Sequence, residues 1–323
     1  MHRNSAIGGI VAFVVTAFIA TSPATAQTYR FVTGPEGSNL PALGMALKSF
    51  WDAEMPKTNP NYQTTNVLPG DAVANVTAIE DGTADLAIGN TMITNDAIEG
   101  RAPFTKKHEK VCQLALLYLQ ALQVLAMPDA NIQTVSDLKG KTVAVPLKGD
   151  LADPVARRML EVSGLTDMKT VPAGTKDALK MLREGKVHAA MVGAPVPSPE
   201  IAEMGGGKPL AVVGVAQNLI SQIETVNQGF LTATLEPGTY PGQNNQALAA
   251  AYAAQILAPC DMIDRRAFNL TRIVVSNLSA LTKTEGSMKE MEKDMMGVEL
   301  GTRAHPAAGS FHEGAAGNCP GGC

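Results

Sequence analysis

The chain has little of what most catalytic and nucleic-acid-binding proteins need. Only 4% of its 323 residues are aromatic, with a single Trp, and there are five His and four Cys. No basic run interrupts a formal net charge of −4, which argues against nucleic acid or an anionic membrane surface as partner. Neither H-E-x-x-H nor G-x-S-x-G occurs, so neither a zincin site nor a nucleophile elbow is supported. His305, His312 and Glu313 have no metal-ligand spacing and lie in a Gly- and Ala-rich tail expected to be mobile, and His108 falls in the Lys106-Lys-His-Glu-Lys run, expected to be solvated. His188 starts an apolar strand and is expected to be structural. No catalytic residue, no metal and no cofactor is expected, and the chain is not read as an enzyme. Beyond the N-terminus, no segment is long and apolar enough to cross a bilayer.

What is present begins with a leader. Arg3, an apolar run from Ile7 to Ala20 and Ala24-x-Ala26 form a signal peptide over residues 1–26, so the mature chain is expected in the periplasm. About 300 residues then remain, enough for two lobes. In an oxidising compartment four cysteines allow three full pairings. Cys112 and Cys260 both adjoin apolar segments, and Cys319 and Cys323 share the tail, so the favoured pairing joins each of these two sets.

Period and punctuation give an α/β chain. Tyr29, Phe31 and Thr33 have strand character, and Leu40, Leu43, Leu47 and Phe50 follow at helical spacing. The turn between them, with Gly34, Gly37, Ser38 and Asn39, leaves backbone N–H groups at a helix N-terminus, which favours an anion. Tyr62–Val67 reads as a strand, Asp71–Asp81 as a helix and Asp85–Gly89 as a strand ending at Asn90 and Thr91. Such an order suggests a parallel sheet with ligands beyond the carboxyl ends of its strands. Val111–Met127 reads as two buried strands with a turn near Gln120. A second series follows: strand Thr142–Val145, turn Pro146–Asp150, helix Pro154–Ser163, a strand near Met168–Val171, helix Lys176–Glu184 and strand Ala189–Val192. Gly174-Thr-Lys-Asp-Ala-Leu and Gly185-Lys-Val-His-Ala-Ala repeat the layout of Gly70-Asp-Ala-Val and Gly82-Thr-Ala-Asp-Leu-Ala, and a repeated layout implies two similar lobes with a cleft between them. Met288, Met291, Met295 and Met296 have helical spacing and read as packing.

Thr33-Gly-x-x-Gly-Ser, Asn75 followed by Glu80-Asp-Gly-Thr-Ala-Asp-Leu-Ala, Asp137-Leu-Lys-Gly-Lys-Thr-Val-Ala-Val, Leu182-Arg-Glu-Gly-Lys-Val-His-Ala-Ala, Pro237-Gly-Thr-Tyr-Pro-Gly and His305-Pro-Ala-Ala occur in that order. In this order and spacing the chain resembles the TAXI group of TRAP-transporter solute receptors, over nearly all of the mature sequence. The resemblance implies a two-lobed periplasmic binding protein of type II-like fold, with parallel-rich sheets flanked by helices. It also implies a TRAP-type membrane permease as partner and a monomeric receptor. Where that group has tyrosines after the first turn this chain has Asn39 and Leu40, and its second-lobe turn carries Asp150 and Asp153.

The lobes are expected at residues 27–120 plus 236–323 and at 121–235, with hinges near Leu119–Val124 and Leu231–Glu236. The expected ligand is a small organic anion, a carboxylate first and an amino acid second. Gly34, Gly37, Ser38, Asn39, Asn75, Asn90, Thr91, Lys148, Gly149 and Asp150 are the expected contacts, with Lys148 as the cation. An ATP-driven importer or a ligand-presenting sensor subunit is the alternative setting.

Overall fold

The computed structural model describes residues 27–204 and 210–314. The signal peptide and the Cys319/Cys323 pair lie outside the described residues.

Alternation and helical period act as expected in the first unit. Strand β1 (Gln27–Val32) buries Tyr29 and Phe31, and helix α1 (Leu40–Thr58) buries Leu40, Leu43, Leu47, Trp51 and Met55 along one face. The Phe31 and Trp51 rings meet edge to face, 5.2 Å between centroids. Strand β2 (Tyr62–Leu68), helix α2 (Ala72–Glu80), strand β3 (Leu86–Asn90) and helix α3 (Thr91–Glu99) follow. The Asp71 carboxylate caps α2 by accepting from the Val73 and Ala74 N–H groups.

The next segment corrects the expected hairpin. Val111–Ala126 is one 16-residue strand, β4, with no turn at Gln120. It is buried on both faces because it serves two sheet halves in succession, which makes its sequence apolar throughout. Strand β5 (Thr142–Val145), helix α4 (Asp153–Val162), strand β6 (Lys169–Pro172), helix α5 (Thr175–Arg183) and strand β7 (Ala189–Ala194) form the second unit. Helix α6 (Pro199–Met204), strand β8 (Ala211–Val213), helix α7 (Gln217–Val226) and strand β9 (Leu231–Leu235) complete its surroundings. Strand β10 (Ala247–Pro259), helices α8 (Asp264–Ser276) and α9 (Leu278–Leu281), and helix α10 (Pro306–His312) end the described chain.

All ten strands belong to one continuous sheet, in the order β2-β1-β3-β10-β4-β7-β5-β6, with β8 on β4 and β9 on β10. β4 and β10 are antiparallel and run through both halves. Residues 111–119 of β4 pair with 253–259 of β10 on the first-lobe side, while residues 121–126 of β4 pair with β7 on the second. The return crossing is therefore β10, and β9 pairs only with residues 247–251 of β10. These residues sit with the second half of the sheet, and Tyr252 of β10 is paired with Gln120 of β4.

Cys112, on β4, and Cys260, just past β10, are joined by a disulfide with Cα atoms 4.9 Å apart, as expected. The pairing of Cys112 with Ala258 and of Val111 with Pro259 places the two thiols side by side at the end of the ladder. The methionines lie on two 3-10 turns rather than one helix. Met288, Met291 and Met296 are buried in the core, and Met295 is exposed.

The histidines also differ from expectation. His108 is buried rather than solvated, its ring edge-on to Phe104 at 4.8 Å. His188 is exposed, its Nδ1 accepting from the Thr142 N–H at 3.0 Å. His305 and His312 are folded into the α10 region rather than a mobile tail. His305 Nδ1 accepts from the Ala307 N–H and its Nε2 lies 2.9 Å from the Met262 carbonyl. His312 Nε2 lies 3.0 Å from the Leu114 carbonyl. Burial pushes both imidazoles below the ordinary histidine value.

Candidate ligand cleft between the lobes

The turns after β1, β5, β6 and β7 converge on a cavity of about 280 Å³ between the lobes. Its wall takes Gly37, Ser38, Asn39 and Leu40 from the first turn, and Pro146, Leu147, Asp150, Leu151 and Ala152 from the turn after β5. Gly174, Thr175, Lys176 and Asp177 come from the start of α5, Met191–Gly193 from β7, Tyr118 and Gln120 from β4, and Glu285 from the segment after α9.

Two helix N-termini, one from each lobe, open on this space. α1 begins after Asn39, with its Leu40 N–H donating to the Ser38 hydroxyl at 3.4 Å and Pro41 carrying no N–H, whereas α5 begins after Gly174 without a side-chain cap. The first intrahelical bond of α5 is Ala178 N–H to the Gly174 carbonyl, which leaves the Thr175, Lys176 and Asp177 N–H groups without intrahelical partners. The free α5 N–H groups beside the cleft, at the positive end of a helix dipole, suit a carboxylate. The gap across the mouth is narrow. A Cβ on Gly174 would stand 3.1 Å from the Gly37 carbonyl oxygen, so the two backbones approach as only glycine permits at the first-lobe and second-lobe lips.

The lobes are closed over the cavity by direct bonds. Ala72 N–H donates to the Gly149 carbonyl at 2.9 Å, Asn90 Nδ2 to the Leu151 carbonyl at 2.6 Å, and Arg158 to Asp96 at 2.9 Å. Asp96 is fully buried and also takes Arg101 Nε and Asn227 Nδ2, each at 2.8 Å. Gly149 fits this contact through its left-handed backbone, φ +86°, and a Cβ there would stand 2.6 Å from Asp71 Oδ2.

Of the expected contacts, the structure brings Gly37, Ser38, Asn39 and Asp150 to the cavity wall. Gly34, Asn75, Asn90, Thr91, Lys148 and Gly149 are not in that wall. Asn75 ties strand ends together, donating to the Thr33 and Ile88 carbonyls at 2.6 and 2.9 Å. Thr91 donates to the Gly229 carbonyl, and Asn90 serves the closure contact and caps α3. Lys148 and Gly149 line a separate outer groove with Asp153, Arg157 and Arg158. The Ser38 hydroxyl donates to the Pro35 carbonyl at 2.8 Å, so it shapes the turn. Lys176, not Lys148, is the lysine of the cavity wall; it is largely exposed and 3.8 Å from Glu200.

Sequence reasoning missed Tyr118, Gln120, Thr175 and Glu285. Gln120 was visible as a polar break in an apolar run; its Oε1 accepts from the Tyr252 hydroxyl at 2.8 Å where the two long strands cross. Burial pushes the Tyr118 and Tyr252 phenols well above their ordinary value. Burial, opposed by the Ala152 N–H and reinforced by the Asp153 and Glu285 charges, raises the Asp150 carboxyl. Among the described residues, no group of three or more His, Cys, Asp or Glu side chains is arranged to hold a metal.

The model of the NMT1-like family matches residues 31–315, from within β1 to beyond α10. The chain belongs to the NMT1-like family. Among solved structures, XAC2383 from Xanthomonas citri bound to ATP aligns at 10% identity over 80% of this chain and 87% of that one, with a TM-score of 0.52. The aliphatic sulphonate binding protein SsuA from Escherichia coli aligns at 17% identity over 80% and 79%, with a TM-score of 0.42. The AbpA amino acid ABC transporter substrate-binding protein from Streptococcus pneumoniae aligns at 13% over 81% and 94%, with a TM-score of 0.45. At such identities the likeness concerns fold alone. This NMT1-like chain has the mixed α/β class that its sequence led us to expect, and it shares its fold with XAC2383.

Proposed function

We propose that the protein is an extracytoplasmic solute receptor that encloses a small carboxylate-bearing solute between its lobes and hands it to a membrane permease. The observation that carries this reading is the convergence on one cavity of two helix N-termini, the α5 end with its N–H groups free and the α1 end behind the Ser38–Asn39 turn. Neither end alone can enclose a carboxylate, and bringing them together requires closure. A ligand favours closure only through contacts that exist in the closed form, and these two ends meet that condition.

The proposed lobes are joined through β4 and β10, with the bending points at Gln120 and Tyr252. The order of motifs in the sequence favours a TRAP-type permease as the receiver. The cavity itself is indifferent to the energy source, so an ATP-driven importer is the second reading. Uptake of the identified solute by reconstituted permease, driven by an ion gradient without ATP, supports the first and excludes the second.

Titration calorimetry with small carboxylates tests the receptor reading. Micromolar capture corresponds to about −8 kcal/mol, within reach of several hydrogen bonds to a charged group in an enclosed site. Thr175→Pro removes one N–H while suiting the first helical position, and is expected to weaken binding at least several-fold with little change in stability. Unaltered affinity in that variant contradicts a role for the α5 terminus.

A further inference from the structure

Besides its helix ends, the cavity wall holds a set of acceptors with no cation to serve them. Glu285 is 4% exposed, and one of its oxygens accepts from the Ser287 N–H at 3.0 Å. Its other oxygen has no hydrogen-bond partner among the described residues, and neither Glu285 nor Asp150 is in an ion pair there. The Asp150 Oδ1 accepts from the Ala152 N–H at 3.1 Å. Tyr118, 2% exposed, lines the same space, and its hydroxyl makes no hydrogen bond to the described residues. These unpartnered oxygens face the cavity, where a solute donor can reach them. Four carboxylates, Asp150, Asp177, Glu200 and Glu285, line the cavity against the single Lys176.

Asp150 stands on the second-lobe turn and Glu285 on the first-lobe segment after α9, so closing the empty cleft brings like charges together across it. The charge of Glu285 is among those that act on Asp150, and both act on Tyr118. We propose that Asp150, Glu285 and Tyr118 hold an organic ammonium group of the solute, and that this cation, set between the two carboxylates, relieves their repulsion and so adds to the contacts that keep the cleft closed. The proposal rests on the solute-receptor reading above and narrows its substrate class to amines, including amino acids. An ammonium has three donors and no acceptor, matching two carboxylates and a phenol oxygen. A hard metal ion is a poorer occupant, because it requires more oxygen ligands than these. With the helix ends taking a carboxylate, the cavity has one pole of each sign.

Calorimetry with two matched pairs tests this: 4-aminobutyrate against butyrate, and putrescine against 1,4-butanediol. In at least one pair the amine is expected to bind ten-fold or more tightly than its partner, and Glu285→Gln and Asp150→Asn are each expected to erase that preference. Glu285→Gln keeps the oxygen that accepts from Ser287, so it preserves the local turn. Equal binding within each pair, or a preference that survives both substitutions, overturns the proposal while leaving the receptor reading intact. X-ray scattering without solute decides the matter even if none of the four probes binds. Glu285→Gln is expected to be more compact than the wild-type protein because one of two opposed charges is gone. Identical radii of gyration overturn the charge gate.

Discussion

Replacing Arg158 with methionine removes a guanidinium that joins α4 of one lobe to Asp96 of the other, while keeping an unbranched apolar stem. The bond is 2.9 Å long, and Asp96 is fully buried. Hydrogen bonds to charged groups contribute about 1.5–3 kcal/mol. Asp96 keeps Arg101 and Asn227 in the variant, so it is not stranded, and in the open form both partners are hydrated. The differential loss on closure is therefore about 1–2 kcal/mol, at the low end of that range. Because apparent affinity scales with the competent population, solute binding should weaken roughly 5- to 30-fold although Arg158 is outside the cavity wall. Calorimetry measures the affinity, and scattering without solute measures the accompanying expansion. Unchanged affinity together with an unchanged radius would show that the Arg158–Asp96 pair does not hold the lobes shut.

Gly149→Ala should act on the same equilibrium. Its φ of +86° and the 2.6 Å approach to Asp71 Oδ2 predict a cost of about 1–3 kcal/mol, seen as a more open free protein. Removing the Cys112–Cys260 bond, whose partners are 148 residues apart, should lower unfolding free energy by about 2–5 kcal/mol. Urea titration of a Cys112→Ala/Cys260→Ala variant checks this, and an unchanged midpoint refutes it. The buried His305 and His312 predict acid sensitivity. Both have folded-state values below 6.5, so their contribution is present above pH 6.5 and lost as pH falls through the depressed values. Urea midpoints between pH 7.5 and 5 should fall, and less steeply in His305→Gln/His312→Gln; identical slopes contradict the assignment.

How far the sequence could be read depended on whether the deciding interaction was local. The Gly34–Ser38 turn and the α1 face follow from neighbouring residues, and their layout was legible. The repeat of the Gly70-Asp-Ala-Val layout at Gly174 also marked the start of a second-series helix. Strand β10 was not legible, because Ala249–Ala251, Ala253 and Ala254 favour a helix on intrinsic grounds and are extended only because β4 takes one edge of the strand and β9 and then β3 take the other. The unbroken β4 was mistaken for a hairpin because apolar periodicity cannot tell one long buried strand from two. Asn75 and Asn90 were plausible ligand groups until tertiary partners were known; their amides bond to carbonyls 42 and 61 residues away. Glu285 reached the cavity without a sequence signal, since an isolated acidic residue between Thr284 and Gly286 looks like any solvated turn.

A crystal structure of the protein purified from its native host is the most direct test of the account. We predict one small solute per chain between the lobes, its carboxylate at the Asn39 and Thr175 helix ends and its ammonium against Asp150 and Glu285. A solute seated instead in the outer groove beside Lys148 and Arg157, with only water in the closed cavity, would contradict it.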